Sequence, residues 1–447
     1  MSEFDGRVAA ALEADRDLYE SWLVELCAQR SISAAADGVG ECADLVERMC
    51  MDVGLTVERV ETPRHPVMIA TIAGDSDYTL GLYDHYDVQP VDPLTEWTSD
   101  PFVPTARDGR LFARGIADNK GNLVTRLAAV HAWLRAAGSL PVNVCFIIEG
   151  DEEIGSPGLN AVADVVRSKL SLDGLIWESG SVNAAGELVS YEGVKGVLGL
   201  ELVATAPRGD LHSMYATVVP NPVWRLVRAL ASMRDADGEP VVDGLSAGAE
   251  PLSDQDRREL KGYHANEAAT LRRMGARTDL GDEELVRRHV FGTTLNLSGL
   301  SAGYVGSGTK TVLPATASAR MDIRLVPNQD PTVIAEAIRD HLTRTGFDDI
   351  AVKVLNAVPP YRGSAGGIAD AVRMVADELY EGFVGYPMIP GAGPMRAICG
   401  DSDLPVSAGP AVGDHLSNIH APNESIRLDN FHRAALGIAK LMPLLRK

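Results

Sequence analysis

Residues 78–87 read YTLGLYDHYD, and residues 142–153 read VNVCFIIEGDEE. Each stretch begins with a short apolar run and ends in histidine or acidic residues. Short apolar runs rich in β-branched and aromatic residues are typical of buried strands. Residues 122–138 between them predict a helix, because apolar side chains recur there at helical spacing and Gly138 can end it. This alternation of strands and helices predicts an α/β layer structure.

The middle of the chain has a different pattern. Residues 196–206 and 315–327 form longer alternating segments, with a charged, helix-rich stretch between them. After this region the helical patterns of the first part return. The length of 447 residues is also more than one compact core usually holds. We therefore predict a discontinuous catalytic domain of residues 1–196 and 359–447, with an inserted α+β domain of residues 197–358.

Composition narrows the class of protein. The net charge of −21 argues against nucleic-acid and anionic membrane partners, which require clustered basic side chains. No stretch is apolar and long enough to span a bilayer, and the N-terminus lacks the pattern of a signal peptide. The five cysteines are scattered, which predicts neither a disulfide scaffold nor a cysteine zinc site. These features together predict a cytoplasmic protein.

Histidine and acidic residues follow the predicted strands. His85 and Asp87 follow one apolar run, residues 149–153 include four acidic residues after the next, and Glu178 follows a third. Asp118 lies in the turn before the predicted helix. Open α/β sheets place their ligand sites at the carboxyl ends of the strands. So many carboxylates could not all stay ionised together unaided, so the sequence predicts a bound cation.

Single elements of this pattern also have ordinary interpretations. In metal sites a ligating histidine often donates its second ring N–H to a carboxylate, and residues two apart on an extended segment share a face. His85 and Asp87 fit that arrangement, although such a pair alone is more often a loop histidine beside a solvated acid. Glu152 and Glu153 alone would more often be surface charges. Their shared position at strand ends favours the metal site.

Seven segments, in order along the chain, carry a family resemblance. The chain resembles the M20 metallopeptidases, and within them the group of cytosolic nonspecific dipeptidases and carnosinases. Four segments lie in the predicted catalytic domain, and three lie in the inserted domain. They are residues 81–90 (GLYDHYDVQP), 109–122 (GRLFARGIADNKGN), 146–159 (FIIEGDEEIGSPGL) and 414–426 (DHLSNIHAPNESI), then 210–213 (DLHS), 306–314 (GSGTKTVLP) and 321–328 (MDIRLVPN).

The resemblance implies a zinc-peptidase fold. Its catalytic domain has a mixed sheet flanked by helices, and its inserted domain acts as a dimerisation (lid) domain in a homodimer. It also implies two divalent ions per chain and a cis peptide bond after Asp118. Zn²⁺ suits nitrogen and oxygen ligands, and Mn²⁺ or Co²⁺ are alternatives. The implied ligands are His85 and Glu178 for one ion, Glu153 and His420 for the other, and Asp118 bridging both.

The same resemblance assigns roles in catalysis and substrate binding. Water activated by the two ions would attack the amide carbon, with a carboxylate as general base. A histidine of the neighbouring subunit would stabilise the oxyanion. The planar guanidinium of Arg324 suits a substrate carboxylate. Its alternative partner is the neighbouring Asp322. The residues that the resemblance assigns are Glu152 as base, His212 for the oxyanion, and Arg324 and Thr311 for substrate. Asp87, beside His85, is a further catalytic candidate.

Several departures from the family pattern keep alternatives open. Glu178 stands where the dipeptidase group generally has aspartate, whereas related deacylases have glutamate. Met214 replaces a glycine, and residues 391–395 (GAGPM) lack a serine. His415 competes with His420 as a ligand. We predict a hydrolase of dipeptides or small peptides that carry a free C-terminal carboxylate. The alternatives are a deacylase of N-acyl amino acids and a non-catalytic scaffold.

Overall fold

The computed structural model describes residues 5–178, 180–249, 251–364 and 366–446. The chain forms two compact units, each described by itself below. The first unit comprises Met1–Gly193, Arg362–Met388 and Pro394–Lys447, and the second comprises Val194–Tyr361 and Ile389–Gly393.

The helices and strands are numbered here in chain order. The helices are α1 (Asp5–Ala14), α2 (Arg16–Ala28), α3 (Val39–Val53), α4 (Gly121–Ala137), α5 (Pro157–Ala161), α6 (Ala163–Lys169), α7 (Pro222–Ser232), α8 (Asp254–Arg273), α9 (Asp282–Phe291), α10 (Pro331–Arg344), α11 (Ile368–Leu379), α12 (Met395–Cys399) and α13 (Leu428–Leu444). The strands are β1 (Thr56–Val60), β2 (Val67–Ile72), β3 (Thr79–His85), β4 (Thr105–Arg107), β5 (Arg110–Phe112), β6 (Asn143–Glu149), β7 (Gly174–Trp177), β8 (Ser181–Val182), β9 (Leu188–Tyr191), β10 (Gly193–Val194), β11 (Gly196–Thr205), β12 (Leu211–His212), β13 (Asn296–Ala302), β14 (Val312–Leu313), β15 (Thr316–Leu325), β16 (Ala351–Val358), β17 (Tyr361–Arg362), β18 (Phe383–Tyr386), β19 (Val406–Ala408) and β20 (Ser425–Arg427).

A six-stranded mixed sheet organises the first unit. Its strand order is β1-β2-β6-β3-β7-β19. Strands β6, β3, β7 and β19 are parallel, and β2 runs antiparallel to both of its neighbours, β1 and β6. The central strands are buried almost throughout, because their apolar runs are covered on both faces. Helix α4 is apolar around most of its circumference and is largely buried. The predicted α/β fold with a mixed sheet is confirmed.

The start of α5 lacks the side-chain cap that its sequence favours. Ser156 is at the N-cap position and Pro157 opens the helix, yet the Ser156 side chain makes no capping hydrogen bond. The Ser156 hydroxyl instead donates to Glu149 Oε1 at 2.9 Å, and its φ of +53° is left-handed. The helical segment that follows is divided at Val162 into α5 and α6. The Ser156 hydroxyl is therefore bonded to a buried carboxylate and does not cap α5.

The second unit is an antiparallel sheet with helices. Its four-stranded sheet has the order β13-β15-β11-β16, and helices α7 and α10 pack against it. Strands β11 and β15 alternate buried apolar residues with more exposed ones, as a sheet covered on one face should. Leu198, Leu200 and Ile323 are fully buried in this core. The inserted region therefore has the predicted α+β character.

Two smaller features complete the description. Strands β20, β5 and β4 form a three-stranded antiparallel sheet that joins residues 425–427 to residues 110–112. Along the residues described here, no helix combines the length and apolar character that crossing a membrane requires.

Candidate metal centre

The carboxyl ends of the parallel strands bring the acidic residues together. His85 is the last residue of β3 and lies opposite Glu149, the last residue of β6. Glu178 directly follows β7, the neighbour of β3 on its other side. Asp118 approaches from a π-helical turn, Ile116–Lys120, that leads into α4. The site thus lies at the sheet edge where α/β proteins commonly bind ligands.

The carboxylate of Asp118 lies between two histidines. Its Oδ1 is 3.1 Å from His85 Nε2, and its Oδ2 is 3.1 Å from His420 Nε2. Glu178 Oε2 lies 3.5 Å from His85 Nε2, and Glu153 Oε2 lies 3.0 Å from His420 Nε2. The five side chains therefore form two groups of nitrogen and oxygen atoms that share Asp118. The peptide bond between Asp118 and Asn119 is cis, as the sequence resemblance implies.

Several of these side-chain atoms are placed as the ligands of a metal ion would be. Ligand atoms of Asp118, Glu153 and His420 all lie within 4.8 Å of one another. Glu178 Oε2 is buried and makes no hydrogen bond within the described chain, while Trp177 Nε1 donates to Glu178 Oε1 at 3.1 Å. Oε1 of Glu178 is therefore fixed by the indole of Trp177, and Oε2 is available to bind a cation. Imidazole nitrogen and carboxylate oxygen are ligands that Zn²⁺ commonly takes.

The electrostatics of the site support the same interpretation. Burial raises the pKa of Glu178 to about 8, and the nearby charges of Asp118 and Glu153 add to this effect. Hydrogen bonds to Asp118 and Glu153 raise the pKa of His420 to about 10. Burial, followed by the charge of Glu178, raises the pKa of Glu152 well above its ordinary value. These groups compete for protons, and divalent cations would replace those protons.

Asp87 contacts both the imidazole of His85 and the turn that carries Glu152 and Glu153. Its Oδ1 accepts the backbone N–H of Glu152 at 3.1 Å, and its Oδ2 accepts that of Glu153 at 3.0 Å. His85 Nδ1 lies 3.0 Å from the backbone oxygen of Asp87 and 3.4 Å from its Oδ1. The imidazole therefore faces both the carbonyl of Asp87, which is its closer partner, and the Asp87 carboxylate. Asp87 thus joins the loop of His85 to the turn that carries both glutamates.

The other acidic residues at the end of β6 and just after it bond to protein groups. Glu149 is buried and accepts the hydroxyls of Tyr83 at 2.8 Å and Ser156 at 2.9 Å. Burial raises the pKa of Glu149 to about 8. Asp151 accepts Arg64 Nε at 3.0 Å. Neither belongs to the two groups of atoms around Asp118.

The two candidate histidines of the last segment differ in their surroundings. His420 contacts both Asp118 and Glu153, and its φ of +62° is left-handed. His415 is exposed, and its backbone N–H donates to Val182 O at 3.1 Å. Among the residues that the structure describes, His415 joins no group of possible metal ligands.

His212 and Thr311 lie on paired segments of the second unit. Strand β12 pairs with β14, with His212 opposite Val312. The backbone N–H of Ser213 donates to Thr311 O at 3.1 Å. His212 is exposed, and the N–H of Met214 donates to His212 Nδ1 at 3.1 Å. This bond places the ring proton of a neutral His212 on Nε2, which can then act as a donor.

Arg324 is a half-buried residue of β15. Its backbone N–H donates to Thr294 Oγ1 at 2.8 Å, and Thr294 N–H donates to Arg324 O at 3.1 Å. The alternative partner Asp322 instead accepts Asn296 Nδ2 at 2.8 Å. In the described part of the chain no ion pair joins Arg324 to Asp322, so the guanidinium is not committed to that acid.

Two polar residues near the site have contacts that sequence patterns did not indicate. Gln89 Nε2 donates to Glu153 Oε2 at 2.9 Å. Glu424 accepts the backbone N–H of Asp118 at 3.1 Å. Both residues lie inside the segments that resemble the family, and this position was the one feature of the sequence that could have marked them as part of the site. Their partners are distant in sequence, which is why spacing alone could not assign them.

Comparison with known proteins identifies the family. The model of peptidase family M20/M25/M40 matches residues 81–443. The crystal structure of an M20 family metallo-carboxypeptidase, Sso-CP2 from Sulfolobus solfataricus, is similar with a TM-score of 0.89 and 32% identity, covering 96% of this chain and 99% of that one. The Schizosaccharomyces pombe Cys-Gly metallodipeptidase dug1 is 27% identical over 64% of this chain, and the Homo sapiens Beta-Ala-His dipeptidase is 28% identical over 70%. The matches span 61% and 63% of those two relatives. The chain therefore belongs to peptidase family M20/M25/M40, as its motifs predict.

Proposed function

We propose that this protein is a two-metal hydrolase that cleaves the amide bond of dipeptides or small peptides with a free C-terminal carboxylate. The observation that carries the proposal is the Asp118 carboxylate, whose two oxygens each face a different histidine–glutamate pair. Membership of a peptidase family supports amide hydrolysis, and the names of the two dipeptidase relatives support small peptides.

His85 and Glu178 would hold one divalent ion, Glu153 and His420 the other, and Asp118 both. Zn²⁺ suits these ligands, and Mn²⁺ or Co²⁺ are alternatives. When bound, two such ions supply Lewis acidity toward the carbonyl and lower the pKa of water.

Glu152 is the proposed general base. Glu152 directly precedes the proposed ligand Glu153 in the turn after β6, where a carboxylate could take a proton from the attacking water and deliver it to the leaving nitrogen. Asp87 fixes the turn that carries Glu152 by accepting its backbone N–H. The base therefore needs little reorganisation during the reaction.

The inserted domain, predicted as residues 197–358, supplies the remaining functions in this proposal. Arg324 binds the substrate carboxylate and Thr311 contacts the substrate. His212 of a second copy donates from Nε2 to the developing oxyanion. Exposed apolar side chains of the second unit, including Val218, Trp224 and Val305, support its use as the dimerisation domain. A cytoplasmic location without nucleic-acid or membrane partners is also part of the proposal.

A deacylase of N-acyl amino acids remains the second candidate, because Glu178 is the residue that related deacylases carry. Both activities would use the same metals and base. A non-catalytic scaffold would require loss of a ligand or of the base, whereas Asp118, Glu152 and their partners are all present.

Arg324→Ala is expected to impair substrates with a free C-terminal carboxylate and to leave amidated analogues, already poor, almost unchanged. Loss of a charged hydrogen bond costs roughly 1.5–3 kcal/mol, which corresponds to about tenfold to over a hundredfold in kcat/KM. The measurement is kcat/KM for a matched peptide acid and peptide amide with both proteins. Arg320→Ala is the control, because Arg320 lies on the same strand with its side chain 68% exposed.

An equal loss on acid and amide, or no loss on either, would exclude carboxylate recognition by Arg324. The same assay with N-acyl amino acids separates the two candidate activities. Dipeptides with a free amino group should be cleaved much faster than N-acyl amino acids. The reverse order would favour the deacylase.

A further inference from the structure

Glu424 is a buried carboxylate outside the proposed ligand set that contacts the loop of Asp118. Its side chain is only 1% exposed. Its Oε1 accepts the backbone N–H groups of Ala117 at 2.8 Å and Asp118 at 3.1 Å. Its Oε2 accepts the backbone N–H of Gly115 at 2.8 Å. One side chain therefore holds the backbone of the turn that presents the proposed bridging ligand.

Arg114 extends this contact to the other ligand-bearing loops. Its Nη1 donates to Glu424 Oε2 at 2.8 Å and lies 3.4 Å from Ala421 O, next to His420. Its Nη2 donates to Pro90 O at 3.0 Å, in the segment that follows β3. Both Arg114 and Glu424 are buried. The pair of Arg114 and Glu424 connects the turn of Asp118, the loop of His420 and the segment that follows His85.

The backbone around this pair leaves little room for adjustment. Ala113 N–H donates to Glu424 O at 3.1 Å, so Glu424 is also held by its main chain. Gly115 has a φ of +78°, and a Cβ added there would lie 2.2 Å from Val88 Cγ1. The turn is therefore confined on one side by Val88 and anchored on the other by the Glu424 carboxylate.

We propose that Glu424 is a positioning residue that sets the distance between Asp118 and His420, and thereby the affinity of the site for metal. This inference rests on the proposed two-metal function. Hydrogen bonds to an ionised carboxylate are stronger than neutral ones, so four of them on one side chain fix the turn firmly. Partners that orient metal ligands typically contribute 10–100-fold to metal affinity or activity. The competing explanation is that Glu424 only neutralises the buried charge of Arg114.

Two variants distinguish these explanations. Glu424→Gln keeps the size of the side chain. However, only one of the two terminal atoms of glutamine can accept a hydrogen bond, whereas both carboxylate oxygens of Glu424 do so. The double variant Glu424→Gln/Arg114→Met also removes the cation that the first variant leaves unpaired. Metal-free protein is titrated with Zn²⁺ against a chromophoric chelator, and thermal unfolding is followed in parallel. The visible spectrum of the Co²⁺ form reports ligand geometry independently of activity.

Positioning predicts that Glu424→Gln weakens Zn²⁺ binding by about 10–100-fold and alters the Co²⁺ spectrum. The double variant should regain thermal stability without regaining metal affinity. Asp414→Asn is the matched control, since the Asp414 side chain is only 5% exposed, pairs with Arg110 at 2.8 Å, and has no bond to the turn of Asp118 among the described residues. It should bind Zn²⁺ like the wild type.

The outcomes separate this inference from the function on which it rests. If the wild type binds no Zn²⁺, the proposed metal centre is wrong. If the wild type binds Zn²⁺ and Glu424→Gln binds it equally tightly, Glu424 does not position the site. Recovery of wild-type affinity in the double variant would show that Glu424 serves only to neutralise Arg114.

Discussion

Glu152→Gln is expected to lower kcat by about 10²–10⁴-fold while metal binding is retained. The amide has nearly the size of the carboxylate but is a poor base. Glu152 is held through its backbone N–H, which donates to Asp87 Oδ1 at 3.1 Å. That bond does not involve the side chain that is changed, so the turn and the neighbouring Glu153 should stay in place.

The experiment combines steady-state kinetics with metal analysis of the same samples. Asp151→Asn is a suitable control, because Asp151 is the adjacent acid and pairs with Arg64 rather than with the site. It should keep a kcat near that of the wild type. A Glu152→Gln protein with full metal occupancy and undiminished kcat would exclude Glu152 as the base.

His212→Ala is expected to reduce kcat by about 10²–10³-fold, the usual cost of losing one donor to an oxyanion. The N–H of Met214 donates to His212 Nδ1, which leaves Nε2–H as the donor. His415→Ala is the control, since His415 is also an exposed histidine. This control also tests the competing ligand, because a loss of metal in His415→Ala would reassign the site.

Mixed dimers test whether His212 acts on the neighbouring subunit. In a dimer of one His212→Ala chain and one Glu152→Gln chain, one site would combine an intact His212 with an intact Glu152. Such heterodimers should regain up to about half of the wild-type activity if each site works independently. Purified heterodimers that are no more active than either parent would exclude sharing of the site.

The position of the site was predictable from sequence because it depends on local order. Apolar runs followed by His85, Glu149 and Glu178 identify strand ends, and parallel strands bring such ends to one edge. The division of five side chains into two groups around Asp118 came from the family resemblance. Spacing alone does not specify which histidine faces which oxygen.

What the sequence did not reveal depends on contacts between distant segments. Glu424 lies 306 positions from Asp118, and no periodic pattern relates the two residues. The Asp87 carboxylate lies near His85 but also accepts two amide groups from the turn after β6, which residue spacing does not indicate. The Ser156 hydroxyl bonds to the buried Glu149 carboxylate and does not cap α5. Each of these contacts is a hydrogen bond between separate segments, which local sequence patterns do not specify.

The most direct test of the account is the metal content of the purified protein after reconstitution with Zn²⁺ and removal of loosely bound ions. Elemental analysis should approach about two equivalents per chain, because the Asp118 carboxylate divides the ligand atoms into two groups. A value that stays near zero despite intact folding would contradict the metal centre, and a value that saturates at one would contradict the bridging role of Asp118.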